Sequence, residues 1–308
     1  MQTKEIAIVG AGFAGSVMAR QLAEAGHRVR VFEQRDHAGG NAHDYFNAQG
    51  ILVHRYGPHI FHTNSERVFR YLSRFTQWRP YEHRVRARIG ECEYPFPINR
   101  QTINQVFGLA LAEQDIEVFL QTQRVSLDVI ATSEDVVLAS VGKTLGELFF
   151  AGYTEKQWGR PLSALSASVV SRVPYRCNDD DRYFMDCYQA MPLHGYHSLF
   201  ANLLDHPAIR IELSHAFTTT LRHHFKHLVY TGQVDAFFEQ CYGALPYRSL
   251  RFEHEVIPDV DFHQSVGTIN FPREHAYTRI TEFKHLTGQV CQGTALVREY
   301  PCENGDPY

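Results

Sequence analysis

Three glycines in the run Gly10-Ala11-Gly12-Phe13-Ala14-Gly15, directly behind the apolar strand Ile6-Ala7-Ile8-Val9, constrain this chain more than any other feature. Gly10 permits a tight turn, Gly12 removes the side chain that would bar a pyrophosphate, and Gly15 lets a helix from about Ser16 pack close on the strand. The open N–H groups at the start of that helix then face an anion. Such spacing is weak alone, and here its context supports it. Val17, Leu22 and Ala23 recur at helical spacing, Gly26 ends the helix, and a second strand from Arg28 to Phe32 leads to Glu33. Eighteen positions separate Gly15 from Glu33, close to the separation at which a carboxylate meets a ribose 2'-hydroxyl and repels a 2'-phosphate. The chain therefore begins with a dinucleotide site.

The 308 residues are enough for about two domains with real cores. A formal net charge of −4 argues against a general nucleic-acid or anionic-membrane surface. Phosphate-bearing ligands must then be held by local arginines and backbone amides. No run of eighteen apolar residues occurs, and Met1-Gln2-Thr3-Lys4 leads straight into the first strand. A cytoplasmic protein with neither signal peptide nor membrane span is the expectation. Cys92, Cys177, Cys187, Cys241, Cys291 and Cys302 are scattered without a C-x-x-C pair, which fits reduced thiols and no structural metal. His223, His224 and His227 cluster where two short strands, Phe217 to Leu221 and Leu228 to Thr231, should flank a turn. No carboxylate or cysteine completes a ligand set there, so a solvated turn is preferred to a metal site.

Along the chain, strand, helix and glycine loop alternate over the first eighty residues, implying a parallel sheet. Short alternating strands follow from Val85 to Phe96. Gln101 to Phe107, Glu113 to Gln121, Ser133 to Val141 and Lys143 to Phe150 are helical in period. Ile209 to Leu213 and Leu228 to Gly232 read as strands returning to the first domain. From Leu250 to Glu299 the pattern is of antiparallel strands, clearest at Ser265 to Phe271 and Tyr277 to Glu282. The fold class is α/β: a Rossmann-like domain with a parallel sheet (1–80 plus 195–245), an inserted helical bundle (100–193) and an antiparallel sheet domain (81–99 plus 246–308). No G-x-S-x-G, H-E-x-x-H or P-loop motif is present, which removes support from those hydrolase and nucleotidase chemistries.

The paired glycines of Gln34-Arg35-Asp36-His37-Ala38-Gly39-Gly40-Asn41 resemble the second glycine turn of FAD-binding flavoproteins, so FAD is read as the resident cofactor and NAD as the alternative. Three longer runs carry a more specific likeness. Tyr56-Gly57-Pro58-His59-Ile60-Phe61-His62-Thr63, Pro95-Phe96-Pro97-Ile98-Asn99 and Gly152-Tyr153-Thr154-Glu155-Lys156-Gln157-Trp158-Gly159 closely resemble bacterial UDP-galactopyranose mutases. Arg182-Tyr183-Phe184, Met191-Pro192, Gly195-Tyr196, Tyr230-Thr231-Gly232 with Asp235, Tyr247-Arg248-Ser249-Leu250 and Tyr277-Thr278-Arg279-Ile280-Thr281-Glu282 continue the match in order.

What the resemblance implies is a flavin-dependent isomerase that interconverts UDP-galactopyranose and UDP-galactofuranose. In the family's mechanism N5 of reduced FAD attacks the anomeric carbon and displaces UDP. The flavin–sugar adduct opens and recloses through another hydroxyl, without net redox change. Cofactor contacts are then expected from Gly10, Gly12, Phe13, Ala14, Gly15, Glu33, Gln34, Gly39, Gly40, Asn41, His59, Ile60 and His62, with His62 close to the flavin. Arg172 is assigned to the flavin face and substrate, and Arg279 to the diphosphate and sugar, because a guanidinium grips two phosphate oxygens and keeps its charge. Trp158 is expected on the uridine side, with Tyr153, Tyr183 and Phe184 near it, Arg248 as a further arginine and Tyr308 on phosphate. The family's mobile loop falls by position at Leu162 to Ser171. NADH or NADPH as reductant and a homodimer are implied as well.

The resemblance also implies a helix, a strand and a glycine–arginine segment beyond Asp306-Pro307-Tyr308. These 308 residues do not include them, so a fragment or a truncated chain is expected. Two other readings stay open: an FAD-dependent oxidoreductase of the amine-oxidase type sharing the Gly10 to Gly40 elements, and a truncated inactive remnant.

Overall fold

A computed structural model describes residues 3–170 and 175–305. In chain order the elements are β1 (Glu5–Val9), α1 (Phe13–Glu24), β2 (Arg28–Phe32), β3 (Asp44–Phe46), β4 (Leu52–His54), β5 (Phe61–Thr63), α2 (Glu66–Leu72) and β6 (Trp78–Pro80). There follow β7 (Val85–Ile89), β8 (Cys92–Phe96), α3 (Arg100–Phe107), α4 (Glu113–Gln123), α5 (Ser133–Ser140), α6 (Gly142–Leu145) and α7 (Gly152–Trp158). Next come β9 (Tyr188–Pro192), α8 (Gly195–Leu204), β10 (Ile209–Glu212), α9 (Thr219–His224), β11 (His227–Tyr230) and α10 (Val234–Phe237). The last are β12 (Ser249–Ile257), β13 (Thr268–Asn270), β14 (Arg279–Glu282), α11 (Phe283–Thr287) and β15 (Thr294–Cys302). Two compact units result, Met1–Tyr81 with Asp186–Pro246 and Glu82–Met185 with Tyr247–Tyr308.

In the first unit a parallel sheet has the order β10-β2-β1-β11. Ile8 of β1 and Val29 and Val31 of β2 are buried against Ala19 and Ala23 of α1, while Arg28 and Arg30 alternate with the two valines along β2. The same unit holds a three-stranded sheet, β5-β9-β6, and a small hairpin of β3 and β4. Asp44 of β3 is fully buried and caps α8 from outside it, its carboxylate accepting from the N–H groups of Tyr196 (2.6 Å) and His197 (2.7 Å).

The second unit pairs a six-stranded sheet, β12-β15-β14-β13-β7-β8, with helices α3 to α7. Val85, Ala87 and Phe96 of the sheet share one core with Ile103, Ile116, Leu120, Leu145 and Phe149 of the helical segments. Among the described residues no helix is long and apolar enough to cross a membrane.

Four local expectations change. Helix α1 starts at Phe13 rather than near Ser16: Gly12 caps it in extended backbone and Ser16 N–H already donates to Gly12 C=O at 2.9 Å. The stretch Phe217 to Leu221, strand-like in its β-branched residues, gives way to α9, because the Thr218 hydroxyl caps Leu221 N–H at 3.4 Å. The helix expected over Lys143 to Phe150 is divided between α6 and a π-helical run, Gly146–Ala151, that leads into α7. The C-terminal sheet is not wholly antiparallel, since β13 pairs parallel with β7, and α11 interrupts its strands.

Candidate functional site

Two glycine loops meet backbone to backbone in the first unit. Gly39 N–H donates to Ala11 C=O at 2.9 Å, and a Cβ on Gly40 would lie 3.1 Å from the Cα of Gly12. Gly15 lies so close under the turn that a Cβ would sit 1.9 Å from Gly10 C=O. No side chain caps α1, so its first N–H groups open toward the loops. The Glu33 carboxylate is buried at the end of β2. It accepts from Ala11 N–H at 2.7 Å and from Arg35 N–H at 2.9 Å, which ties the acid to the turn. A cavity of about 460 Å³ runs over this ground, lined by Gly10, Gly12, Phe13, Ala14, Glu33, Gln34, Gly40 and Asn41 with His215, Tyr230 and Thr231.

These features fit a dinucleotide cofactor by their chemistry: bare backbone where phosphates must approach, helix N–H donors, and a carboxylate on the ribose side. A larger and mostly apolar cavity of about 750 Å³ lies along α1, lined by Phe13, Ala14, Val17, Met18, Phe61 and Tyr71. It shares Phe13 and Ala14 with the glycine-loop cavity, but none of the glycines lines it.

Two histidines from the Tyr-Gly-Pro-His run stand on and before β5. His59 N–H donates to His54 Nδ1 at 3.1 Å, and its own Nδ1 lies 3.2 Å from Gly57 C=O. His62, 38% exposed, places Nδ1 2.9 Å from Asp186 Oδ2. Since a carboxylate accepts, that contact fixes the Nδ1–H tautomer and leaves Nε2 as the acceptor of the neutral ring.

In the second unit, side chains do the work. Arg279 opens β14 and pairs across the ladder with Glu299 of β15, its Nε 3.3 Å from Glu299 Oε2. Glu299 is 3% exposed and its Oε1 has no partner among the described residues. Burial pushes its carboxyl above the usual range and the Arg279 guanidinium opposes the shift. The Tyr153 hydroxyl is raised by burial, with a hydrogen bond to Arg279 acting the other way. Buried His83 is held down to about 3 by desolvation and by Arg279. It stands edge-on to Tyr183 (5.9 Å) and stacks on Phe184 (6.3 Å).

Helix α7 presents Trp158 at its last turn, 41% exposed. Arg248 Nε donates to Gln157 C=O at 3.2 Å, and its guanidinium lies so near Gly159 that a Cβ there would be 3.1 Å from Nη1. Lys156 braces the same helix, its Nζ donating to the carbonyls of His275 (2.9 Å) and Tyr277 (3.1 Å) and to that of Phe271. The segment Leu162 to Val170, the expected mobile loop, buries Leu162 and Val170, and is bonded to α5 through Ser133 N–H to Leu165 C=O at 2.8 Å. Ser171 lies outside the described residues.

Of the predicted residues, Gly10 to Gly15, Glu33, Gln34, Gly39, Gly40 and Asn41 gather at the glycine loops. Tyr153, Tyr183, Phe184 and Arg279 gather around His83, while Trp158 and Arg248 meet at the end of α7. Arg172 and Tyr308 lie outside the described residues. Sequence reasoning missed three residues. Glu299 shows itself only through the strand register that sets it opposite Arg279. His83 is a lone histidine in sequence, and Arg176 looks like any basic residue. Yet Arg176 is buried, and its Nη1 donates to Asp180 C=O at 2.9 Å and to Arg182 C=O, holding the turn that leads into Tyr183.

A family model described as UDP-galactopyranose mutase matches residues 148–308, and one described as NAD(P)-binding Rossmann-like domain matches residues 8–75. A probable UDP-galactopyranose mutase of Klebsiella pneumoniae is 40% identical over 315 residues, spanning 100% of this chain and 82% of the relative. A dTDP-fucopyranose mutase of Escherichia coli is 35% identical, spanning 99% and 84%. A crystal structure of reduced UDP-galactopyranose mutase shares the fold with a TM-score of 0.75 at 17% identity, covering 99% of this chain and 76% of that one.

Proposed function

Because the chain belongs to the UDP-galactopyranose mutase family, we propose that it is a flavin-dependent isomerase interconverting UDP-galactopyranose and UDP-galactofuranose, with FAD as the cofactor and the reduced form active. The observation that carries this reading is the bare-backbone meeting of the two glycine loops beside a buried ribose-side carboxylate. The family match over residues 148–308 begins far beyond the two glycine loops and takes in Tyr153, Trp158, Arg248 and Arg279. It therefore favours a mutase over an amine-oxidase-type enzyme that would share only the cradle.

When bound and reduced, the flavin would supply a nitrogen nucleophile for an anomeric carbon without net redox change. The chain's own residues have binding and orienting tasks. The amides of Gly12 to Gly15 would receive the pyrophosphate and Glu33 the ribose hydroxyls. Asp186 holds the proton of His62 on Nδ1, so Nε2 would accept a hydrogen bond. Arg279 would meet the diphosphate and sugar while Glu299 fixes its guanidinium from the opposite strand. Tyr153, Tyr183, Phe184, Trp158 and Arg248 would serve the nucleoside. Arg172 toward the flavin face, Tyr308 on phosphate, NADH or NADPH as reductant, a homodimer and a cytoplasmic location complete the proposal.

The test is anaerobic turnover. Purified protein with added FAD and dithionite should convert UDP-galactofuranose to UDP-galactopyranose, followed by anion-exchange chromatography. The 35% identical dTDP-fucopyranose mutase makes dTDP-fucofuranose the competing substrate to run beside it. Faster turnover of the dTDP sugar would change the substrate. Oxygen consumption with an amine and no sugar isomerisation would overturn the reading.

A further inference from the structure

The second glycine loop is held shut by two imidazoles. His37 and His43 stack with centroids 3.7 Å apart and planes 17° from parallel, and each points Nδ1 at the same acceptor, Ala38 C=O, at 3.1 Å. A carbonyl only accepts, so both rings carry their proton on Nδ1. Nε2 of His37 then accepts from the Tyr56 hydroxyl at 2.9 Å. Ala38 precedes Gly39 and Gly40, whose turn touches Gly12, and Arg35 Nη2 ties its far end through Asn41 Oδ1 at 3.0 Å.

We propose that His37 and His43 are positioning residues for the cofactor, a neutral stacked pair that locks Ala38-Gly39-Gly40-Asn41 against the first glycine loop and releases it on acidification. A proton added to either ring puts a cation against its stacked neighbour. Around the pair stand Arg35 and Asp36 on its own segment, Arg55 and Tyr56 after β4, and Asp44 and Tyr45 on β3. Asp36 is satisfied in part by Arg55 at 3.3 Å, and Asp44 is committed to Tyr196 and His197. Asp36 Oδ1 also lies 3.9 Å from His37 Nε2 and, like Asp44 beside His43, favours the charged ring, but burial and the neighbouring cations outweigh both carboxylates. Burial and these cations hold His37 below its ordinary value and His43 down to about 4.

An open loop would return His43 to a pKa of about 6.5, so closure should weaken about tenfold between pH 7.5 and pH 5.5. Amide hydrogen exchange of the peptide spanning residues 37–43, corrected for intrinsic rates and measured on flavin-free protein, reads this directly. Wild-type protection should fall about tenfold. The variant H43N keeps an amide donor where Nδ1 stood but does not titrate, and should hold near-wild-type protection at both pH values. H43F keeps the stack without the donor, and should be less protected at both, with no acid step. Wild-type protection that does not change with pH, or an H43N variant that loses protection as the wild type does, overturns the lock.

A parallel titration with FAD rests on the flavin reading, and the wild-type dissociation constant should rise about tenfold over the same range. If no flavin binds at any pH, the cofactor reading fails while the exchange data still decide the lock.

Discussion

In the Rossmann-like unit the candidate site is bounded by Cα atoms and amides. Gly12 and Gly40 touch, Gly15 lies under the Gly10 carbonyl, and the buried acid Glu33 is bonded to the same backbone. In the second unit the site is bounded by side chains whose charges are set by burial: Arg279 against Glu299, with His83 and Tyr153 beside them. The contrast separates two ways of preorganising a binding site. A backbone cradle is rigid and fails sterically when a single atom is added. A buried ion pair tolerates changes of shape but not of protonation, because desolvation has already used most of its Coulombic gain.

The largest effect should come from adding atoms to the cradle. A side chain at Gly15 meets Gly10 C=O and the carbonyl carbon, 1.9 and 2.9 Å from a Cβ, and neither can swing aside without moving β1 or α1. G15V should cost about 4 kcal/mol or more, beyond the range of ordinary overpacking. Gly50 has φ +73° with nothing within 4 Å of a Cβ, so G50A should cost about 1–2 kcal/mol from backbone conformation alone. Trp78 lies in the first unit and Trp158 in the second, so urea unfolding of the two variants in a W158F background reads the first unit by fluorescence. Similar costs for the two would show that the close approach of α1 does not govern this unit.

The same contrast explains what could be read from sequence. The cradle was legible because backbone sites write themselves as glycines at fixed spacing, and the strands and Glu33 followed from the same local pattern. As candidates only, Trp158 and Arg279 were legible through long ordered runs of similar residues. Glu299, His83 and Arg176 were not, since each acquires its role from a tertiary neighbour: a cross-strand register, an enclosing aromatic pair, a turn's carbonyls. The helix α9 was lost for a smaller reason. A run of threonines favours a strand by propensity, and a single capping hydroxyl outweighs it.

Breaking the ion pair comes next in size. E299L leaves Arg279 without its cross-strand carboxylate while keeping an apolar side chain in a fully enclosed position. Arg279 is about one-third exposed and recovers some hydration, so the cost should be about 2–3 kcal/mol, below that of a fully buried pair. E299Q, which keeps an oxygen for the guanidinium, should lose about half as much. Urea unfolding read by Trp158 in a W78F background measures both. An E299L protein as stable as its parent would mean that the pair contributes specificity rather than stability.

Acid tests the second unit through His83. Its folded pKa of about 3 lies below the ordinary 6.5, so the unfolded chain binds the extra proton. Stability is complete above about pH 7.5, falls as pH drops through 6.5, and levels out below 3. At pH 5 the loss should be about 2 kcal/mol. In H83Q that component should vanish, seen as a smaller drop in urea midpoint between pH 7.5 and pH 5 in the W78F background. An unchanged drop would assign the acid sensitivity to other groups.

The smallest change in stability should come from Trp158, and for that reason it discriminates best between a core residue and a ligand contact. The indole is 41% exposed on the last turn of α7, and that turn is closed without it by Gly159 N–H donating to Glu155 C=O at 2.7 Å. W158A should therefore lower the free energy of unfolding by no more than about 0.5–1 kcal/mol. If the ring stacks on the nucleoside base, its loss removes binding that is the same in ground state and transition state. KM for the sugar nucleotide should then rise about tenfold or more at unchanged kcat. A variant that loses 2 kcal/mol or more of stability and keeps its KM would place Trp158 in the packing of α7. The nucleoside would then be left to Tyr153, Tyr183 and Phe184, which stand around the neutral His83 rather than at the helix end.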